Sequence, residues 1–197
     1  MLRDLLPAIA RFVTEEGRPA DAMLNRHLRA HREIGSRDRR FLAQALFSYF
    51  RWYGWTVEKL QLDVAAACLV GTAFDSTRLS QSFRHLEGQC DLPFAVEPLG
   101  EASVEAKRDL LNTHFQDRPG FQPLSLADLV VPEFGEVVDP AQATRCIAAF
   151  QQRPPTWMRS RTDPYLLVQA LADRGVPGTV HERVTGAVAI EGGVNLG

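Results

Sequence analysis

The stretch SRDRRFLAQALFSYFRW, residues Ser36 to Trp52, sets arginines at 37, 39, 40 and 51 around a run of large apolar side chains. Placed at 100° steps, Arg37, Arg40, Gln44, Ser48 and Arg51 fall within an arc of about 80°. Leu42, Leu46, Tyr49 and Tyr53 gather on the opposite side, with Ala45 and Phe50 on its shoulders. The spacing predicts a helix with one buried and one basic face. Ser36 is a suitable N-cap for it, and Asp38 in the first turn favours the helix dipole. Arg39 points toward the apolar side, so it is expected to pair with Asp38 at the helix start and not to serve as a contact for a ligand.

The segment just before adds to the positive face. Leu24 and Leu28 mark its core side, while Asn25, Arg29 and Arg32 point away and Arg26 stands to one side. Gly35 lies in the short loop between the two helices, so their arginines can form one patch. Between Arg18 and Arg51 there are eight arginines against three acids. Such a patch can engage phosphate by counterion release without reading sequence. The same pattern also suits a helix that simply keeps its polar side in water, and the residues alone leave both readings open.

The whole chain has 197 residues, 45% of them hydrophobic, enough to bury a real core. Its formal net charge of −2 hides an uneven distribution. Residues 1–59 carry 11 Lys and Arg against 7 Asp and Glu; residues 60–150 carry 6 against 13; residues 151–197 carry 5 against 4. A nearly neutral total can therefore still present a basic face to a polyanion. No run approaches the roughly 18 apolar residues of a membrane span, and Arg3 and Asp4 interrupt any export-type leader. A cytoplasmic protein without a membrane partner is expected. Cys68, Cys90 and Cys146 are far apart and odd in number, which suggests neither a disulfide framework nor a metal clip.

Residues up to about 115 read as consecutive helices. Leu5, Leu6, Ile9 and Val13 follow the helical period until Gly17, and Pro19 suits the first turn of the next helix. Further helices are expected over 57–72, 77–87, 103–115 and 141–151. After Pro154 and Pro155 the chain turns to a short strand over 156–160. A helix then starts at Asp163-Pro164 and is closed by Gly175 at its C′ position, and strands follow over 179–184 and 187–190. Gly192-Gly193 is a turn signal only. The fold class is thus mostly α: a helical bundle over 1–125, a linker and connecting helix over 126–152, and a small α+β part over 153–197.

Signals for chemistry are weak. His27 and His31 have metal-ligand spacing, but Leu28 follows His27, so there is no HExxH base and no completing cluster. His85, His114 and His181 are isolated in sequence. No nucleophile elbow, P-loop or dinucleotide-type glycine motif occurs. No residue is nominated for catalysis, cofactor binding or metal binding.

Two stretches together carry a family resemblance. RPADAMLNRHLRAHREIGSRDRRFLAQALFSYFRW, from Arg18, resembles the amino-terminal NusB-like helical domain of the Sun (Fmu) family of bacterial RNA cytosine-5 methyltransferases. In that domain a helix begins with an Asp-Arg-Arg pattern, here Asp38, Arg39 and Arg40, and ends near an arginine, here Arg51. LVVPEFGEVVDPAQATRCIAAFQQRPPTWMRSRT, from Leu129, is similar to the family's connecting region through Val131, Pro132, Glu133, Pro154, Pro155, Trp157 and Arg159. Arg161 stands where the family often has Asn.

The resemblance implies a NusB-like bundle followed by the start of a small RRM-like subdomain, the RNA-binding front of an enzyme acting on RNA, with ribosomal RNA as the expected class. Taken together with the arginine arc, the expected RNA contacts are Arg26, Arg29, Arg37, Arg40 and Arg51, with Arg159 and the added charge of Arg161 nearer the catalytic domain. Full-length members use S-adenosylmethionine and two catalytic cysteines. Nothing in these residues resembles either motif, so Cys68, Cys90 and Cys146 inherit no role and this chain by itself is expected not to methylate. The competing expectations are a module that docks on a protein, its own methyltransferase domain included, through the acidic middle segment, and a free-standing NusB-like factor.

Overall fold

The computed structural model describes residues 2–190 and divides the chain into two units, residues 1–151 and 152–197. The first is helical. It contains α1 (Leu2–Glu16), α2 (Ala20–Ala30), α3 (Ser36–Arg51), a π-helical turn (Gly54–Lys59), α4 (Val64–Asp75), α5 (Gln81–Glu87) and α6 (Val104–Phe115). A 3-10 turn (Leu126–Leu129), α7 (Phe134–Val137) and α8 (Pro140–Phe150) complete it. The Gly192-Gly193 turn signal lies outside the described residues.

Helix α4 explains the architecture. Its sequence VAAACLVGTAFD is apolar on all sides, the pattern of a helix enclosed by others. Ala67, Cys68, Leu69 and Ala73 join a cluster with Leu6 and Ile9 of α1, Leu24 of α2, Leu42 and Leu46 of α3 and Phe83 of α5. Val70 and Phe74 belong to a second cluster with Trp52, Trp55, Leu111, Phe115 and Leu124. Gly71 lets α3 approach closely, since a Cβ there would sit 2.7 Å from the Ser48 carbonyl oxygen.

Several boundaries differ from expectation, each for a local reason. The helix expected over 57–72 is two elements. The π turn ends at Lys59 with Leu60 as its C-cap, Gln61 takes a left-handed φ of 49°, and Asp63 restarts the chain by accepting from the Ala66 N–H. Pro19 and Gly35 occupy the N-cap positions of α2 and α3, so Ser36 is the first helical residue and not the cap. The helix expected from 77 starts only at Gln81, where Ser80 accepts from the Phe83 N–H. Residues 126–151, expected as linker and connecting helix, belong to the first unit. The Trp55 Nε1–H donates to the Ser125 carbonyl at 2.7 Å, Lys59 pairs with Asp128 at 3.1 Å, and Leu126, Leu129 and Ala148 pack on the second cluster.

The second unit has β1 (Thr156–Arg159), α9 (Pro164–Ala172), β2 (Gly178–Val180) and β3 (Ala187–Ile190). The sheet is antiparallel with strand order β1-β3-β2. Asp163 caps α9 through the Tyr165 N–H. Gly175, at φ 74°, ends it as expected: Gly175 N–H donates to the Ala172 carbonyl and Val176 N–H to that of Leu171. One face of the sheet supplies Met158, Val180, Val188 and Ile190 to a small core with Leu167 and Leu171 of α9. The strand expected over 179–184 stops at Val180, because the His181 Nδ1 accepts the N–H groups of Arg183 and Val184 and turns the chain.

Candidate nucleic-acid interface

Packing against α4 decides which arginines stay free. Arg26 and Arg29 on α2 and Arg37 and Arg40 on α3 are all exposed, and among the described residues none of their guanidinium groups meets an acid or a carbonyl. Arg32, in the loop between the helices, is exposed as well. Leu24, Leu28, Phe41 and Leu42 tie the two helices into one core, so the five cations project from neighbouring parts of one scaffold. Phe47, 43% exposed, stands on the same side of α3 two turns beyond Arg40. The face combines exposed positive charge with one flat apolar ring.

Arg51 does not belong to it. Its Nη1 bonds Asp75 at the end of α4, and the side chains of this pair are only 14% and 8% exposed. The Ser48 hydroxyl donates to the same carboxylate at 2.5 Å and the Trp52 Nε1–H at 2.9 Å. Ser48 is fully buried, and Gln44 reaches the Ser76 hydroxyl at 2.6 Å. Three of the five residues placed on the outward arc thus face α4. The outward side of α3 is rotated by roughly 40° from the expected arc, toward Phe47. A carboxylate 24 residues away recruits Arg51, Ser48 and Trp52 into one buried network, and Arg51 is corrected from a ligand contact to a structural cation.

Arg39 turns inward as expected, toward a different partner. Its Nε donates to the Ile34 carbonyl at 2.7 Å and its Nη2 to those of His31 and Arg32, so it closes the carbonyl-rich loop after α2. Asp38 accepts instead from the Ser82 hydroxyl of α5 at 3.2 Å. Lys107 of α6, 5% exposed, lies 5.3 Å over the Trp52 ring beside this network, and burial holds its ammonium below the ordinary lysine value.

His27 and His31 stack at 4.1 Å, and the His31 Nδ1 meets Glu33 at 2.8 Å. Burial, with the neighbouring His31, lowers the His27 pKa. Among the described residues no three His, Cys, Asp or Glu side chains converge as a metal site would require. Between α1 and α2 lies an apolar cavity of about 600 Å³ lined by Leu5, Ile9, Phe12 and Met23, with Arg26 and His27 at its side. Sequence reading had no signal for it, because each wall alone is an ordinary amphipathic face.

In the second unit Arg159 ends β1 and Arg161 follows it, both exposed and without an acid partner among the described residues. Trp157 and His181 meet edge to face at 5.2 Å. No helix among the described residues is long and apolar enough to cross a membrane. Compared with known protein families and with curated proteins, the chain matches no family model and no curated sequence.

Proposed function

We propose that the chain is the RNA-binding amino-terminal portion of an S-adenosylmethionine-dependent RNA cytosine-5 methyltransferase, with ribosomal RNA as its substrate class. The observation that carries the RNA part is the set of unpaired guanidinium groups at Arg26, Arg29, Arg37 and Arg40. Guanidinium groups that no acid occupies can exchange their counterions for phosphate, and these four project from adjoining parts of two packed helices. The enzyme part rests on the two sequence stretches that resemble the Sun family. The antiparallel three-stranded sheet does not fit S-adenosylmethionine, for it lacks the crevice at the carboxyl ends of parallel strands where nucleotide-type cofactors sit. On this reading cofactor binding and methyl transfer belong to a catalytic domain outside these residues.

The test is RNA affinity against salt concentration for wild type and for Arg37→Ala, Arg40→Ala and Arg29→Ala. Each lost phosphate contact lowers the log–log salt slope by about 0.9 on duplex and about 0.7 on single strands. Unchanged slopes in all three variants refute the reading. The apolar cavity between α1 and α2 favours a second reading, a free-standing NusB-like factor that holds a protein through an apolar anchor. That reading predicts RNA affinity insensitive to the arginines, together with loss of a protein partner on Phe12→Asp.

A further inference from the structure

Among the described residues of the second unit, α9 covers one face of the sheet and no element covers the other. On the other face the cross-strand row is Trp157, Ala189 and Thr179, and the next row places Arg159 opposite Ala187. Two alanines in the middle strand give this face a shallow floor, above which Trp157 rises 53% exposed. An indole left in water on a flat floor has area to offer but no pocket around it. The ring beside it is fixed in orientation. His181 Nδ1 accepts two backbone N–H groups at 3.1 and 3.0 Å, so in the neutral ring the proton sits on Nε2 and points a donor away from the turn.

We propose that Trp157, His181 and Arg159 form a site for one unpaired nucleobase of single-stranded RNA. The base stacks on the indole, the His181 Nε2–H donates to an acceptor on the base edge, and Arg159 meets the adjoining phosphate. This rests on the reading that RNA is the ligand, but it uses another unit and other residues than the arginine face. Exposed aromatics on an open sheet gain most from bases already out of a helix, because a duplex hides its base faces in its own stack. A protein anchor is the poorer occupant: it would need a recess to fill, and Ala187, Ala189 and Thr179 provide none. Arg159 and Arg161, both exposed and unpaired with acids among the described residues, supply the complementary charge.

Intrinsic fluorescence of the full chain gives a direct test. Of the three tryptophans, Trp52 and Trp55 are fully buried, so Trp157 is the one a base can touch. An unstructured ten-nucleotide oligocytidine is expected to quench the exposed emission saturably, and a blunt RNA duplex of equal phosphate number is not. Trp157→Ala should abolish the quenching and weaken oligocytidine binding about tenfold, or ~1.4 kcal/mol, while Trp157→Phe keeps affinity within about threefold. Oligocytidine affinity within twofold of wild type in Trp157→Ala overturns the proposal, as does equal quenching by the duplex or no binding by wild type at low salt. The arginine variants separate the two ideas. Salt slopes that fall in Arg37→Ala and Arg40→Ala with no effect of Trp157→Ala sink the stacking site alone. Quenching by oligocytidine with unchanged slopes sinks the arginine face alone.

Discussion

Replacing Asp75 by alanine tests whether Arg51 is structural. The carboxylate receives Arg51, the Ser48 hydroxyl at 2.5 Å and the Trp52 indole N–H at 2.9 Å, at a site where the pair is 14% and 8% exposed. Removing it leaves a guanidinium in a poorly solvated position and two donors without an acceptor. Breaking a buried pair from one side costs about 3–5 kcal/mol. With a urea dependence of about 2 kcal/mol per molar, a loss of about 4 kcal/mol lowers the unfolding midpoint by roughly 2 M. The fluorescence of Trp52 and Trp55, both in the same cluster, follows the transition. Because both groups act through one contact, Arg51→Met in the Asp75→Ala background should cost much less than Arg51→Met alone. A midpoint shift below about 0.3 M, or additive effects of the two changes, refutes the network as a stabilising unit. Arg51→Met should also leave the RNA salt slope unchanged at temperatures where the variant stays folded, whereas Arg40→Ala lowers it.

Other perturbations probe the scaffold. Gly71→Ala places a methyl 2.7 Å from the Ser48 carbonyl, so α3 and α4 must separate; a loss of about 1–3 kcal/mol, read as a fall of several degrees in Tm, is expected. Burial holds the Lys107 pKa below 10.5, which means that between the lowered value and 10.5 the unfolded chain binds a proton the folded chain has given up, and stability rises with pH. Lys107→Met should therefore lose that alkaline gain relative to wild type in urea midpoints taken from about pH 7 to 10; the buried Tyr49 and Cys68, both raised chiefly by burial, act alike in the two proteins and cancel. Gln61→Gly should stabilise by up to about 1 kcal/mol because residue 61 is left-handed, and Gly175→Ala should cost about 1 kcal/mol for the same reason reversed; in thermal melts, a sign opposite to either expectation would contradict that residue's backbone assignment.

What could be read from the chain follows from how far each interaction reaches. The Asp163-Pro164 start of α9 and the Gly175 stop are settled by neighbours within a few residues, and both stand where the spacing puts them. The uniform apolarity of Val64 to Phe74 marks an enclosed helix equally well. Asp63, which caps that helix, was legible in principle as an acid ahead of an apolar run, but the residues before it carry a helix-like pattern that continues through the break. The π turn was not legible. Its Gly54 is required because a side chain would collide with the Asp128 carbonyl, a contact 74 residues distant that no local pattern announces.

The basic face shows the same division within a single helix. Helical angle alone treats Arg37, Arg40 and Arg51 alike, since all lie within one arc. What separates them is where the neighbouring helix ends: α4 brings its last residue, Asp75, beside Arg51 and not beside Arg37 or Arg40. A cation at the end of an amphipathic helix therefore carries two possible assignments until the partner's terminus is placed, and the choice is made by one carboxylate. The consequence for RNA is specific. On α2, the loop after it and the first half of α3 the exposed cations without an acid partner among the described residues are Arg26, Arg29, Arg32, Arg37 and Arg40, so the proposed RNA reading expects its phosphate footprint on this face toward the α2–α3 loop and away from Trp52. Arg39, bonded to three carbonyls of that loop, keeps the two helix ends in register, and Arg39→Ala should weaken RNA binding only through loss of that register, with the salt slope unchanged. A slope reduced as far as in Arg40→Ala would instead make Arg39 a phosphate contact and place the footprint on the opposite side of the loop.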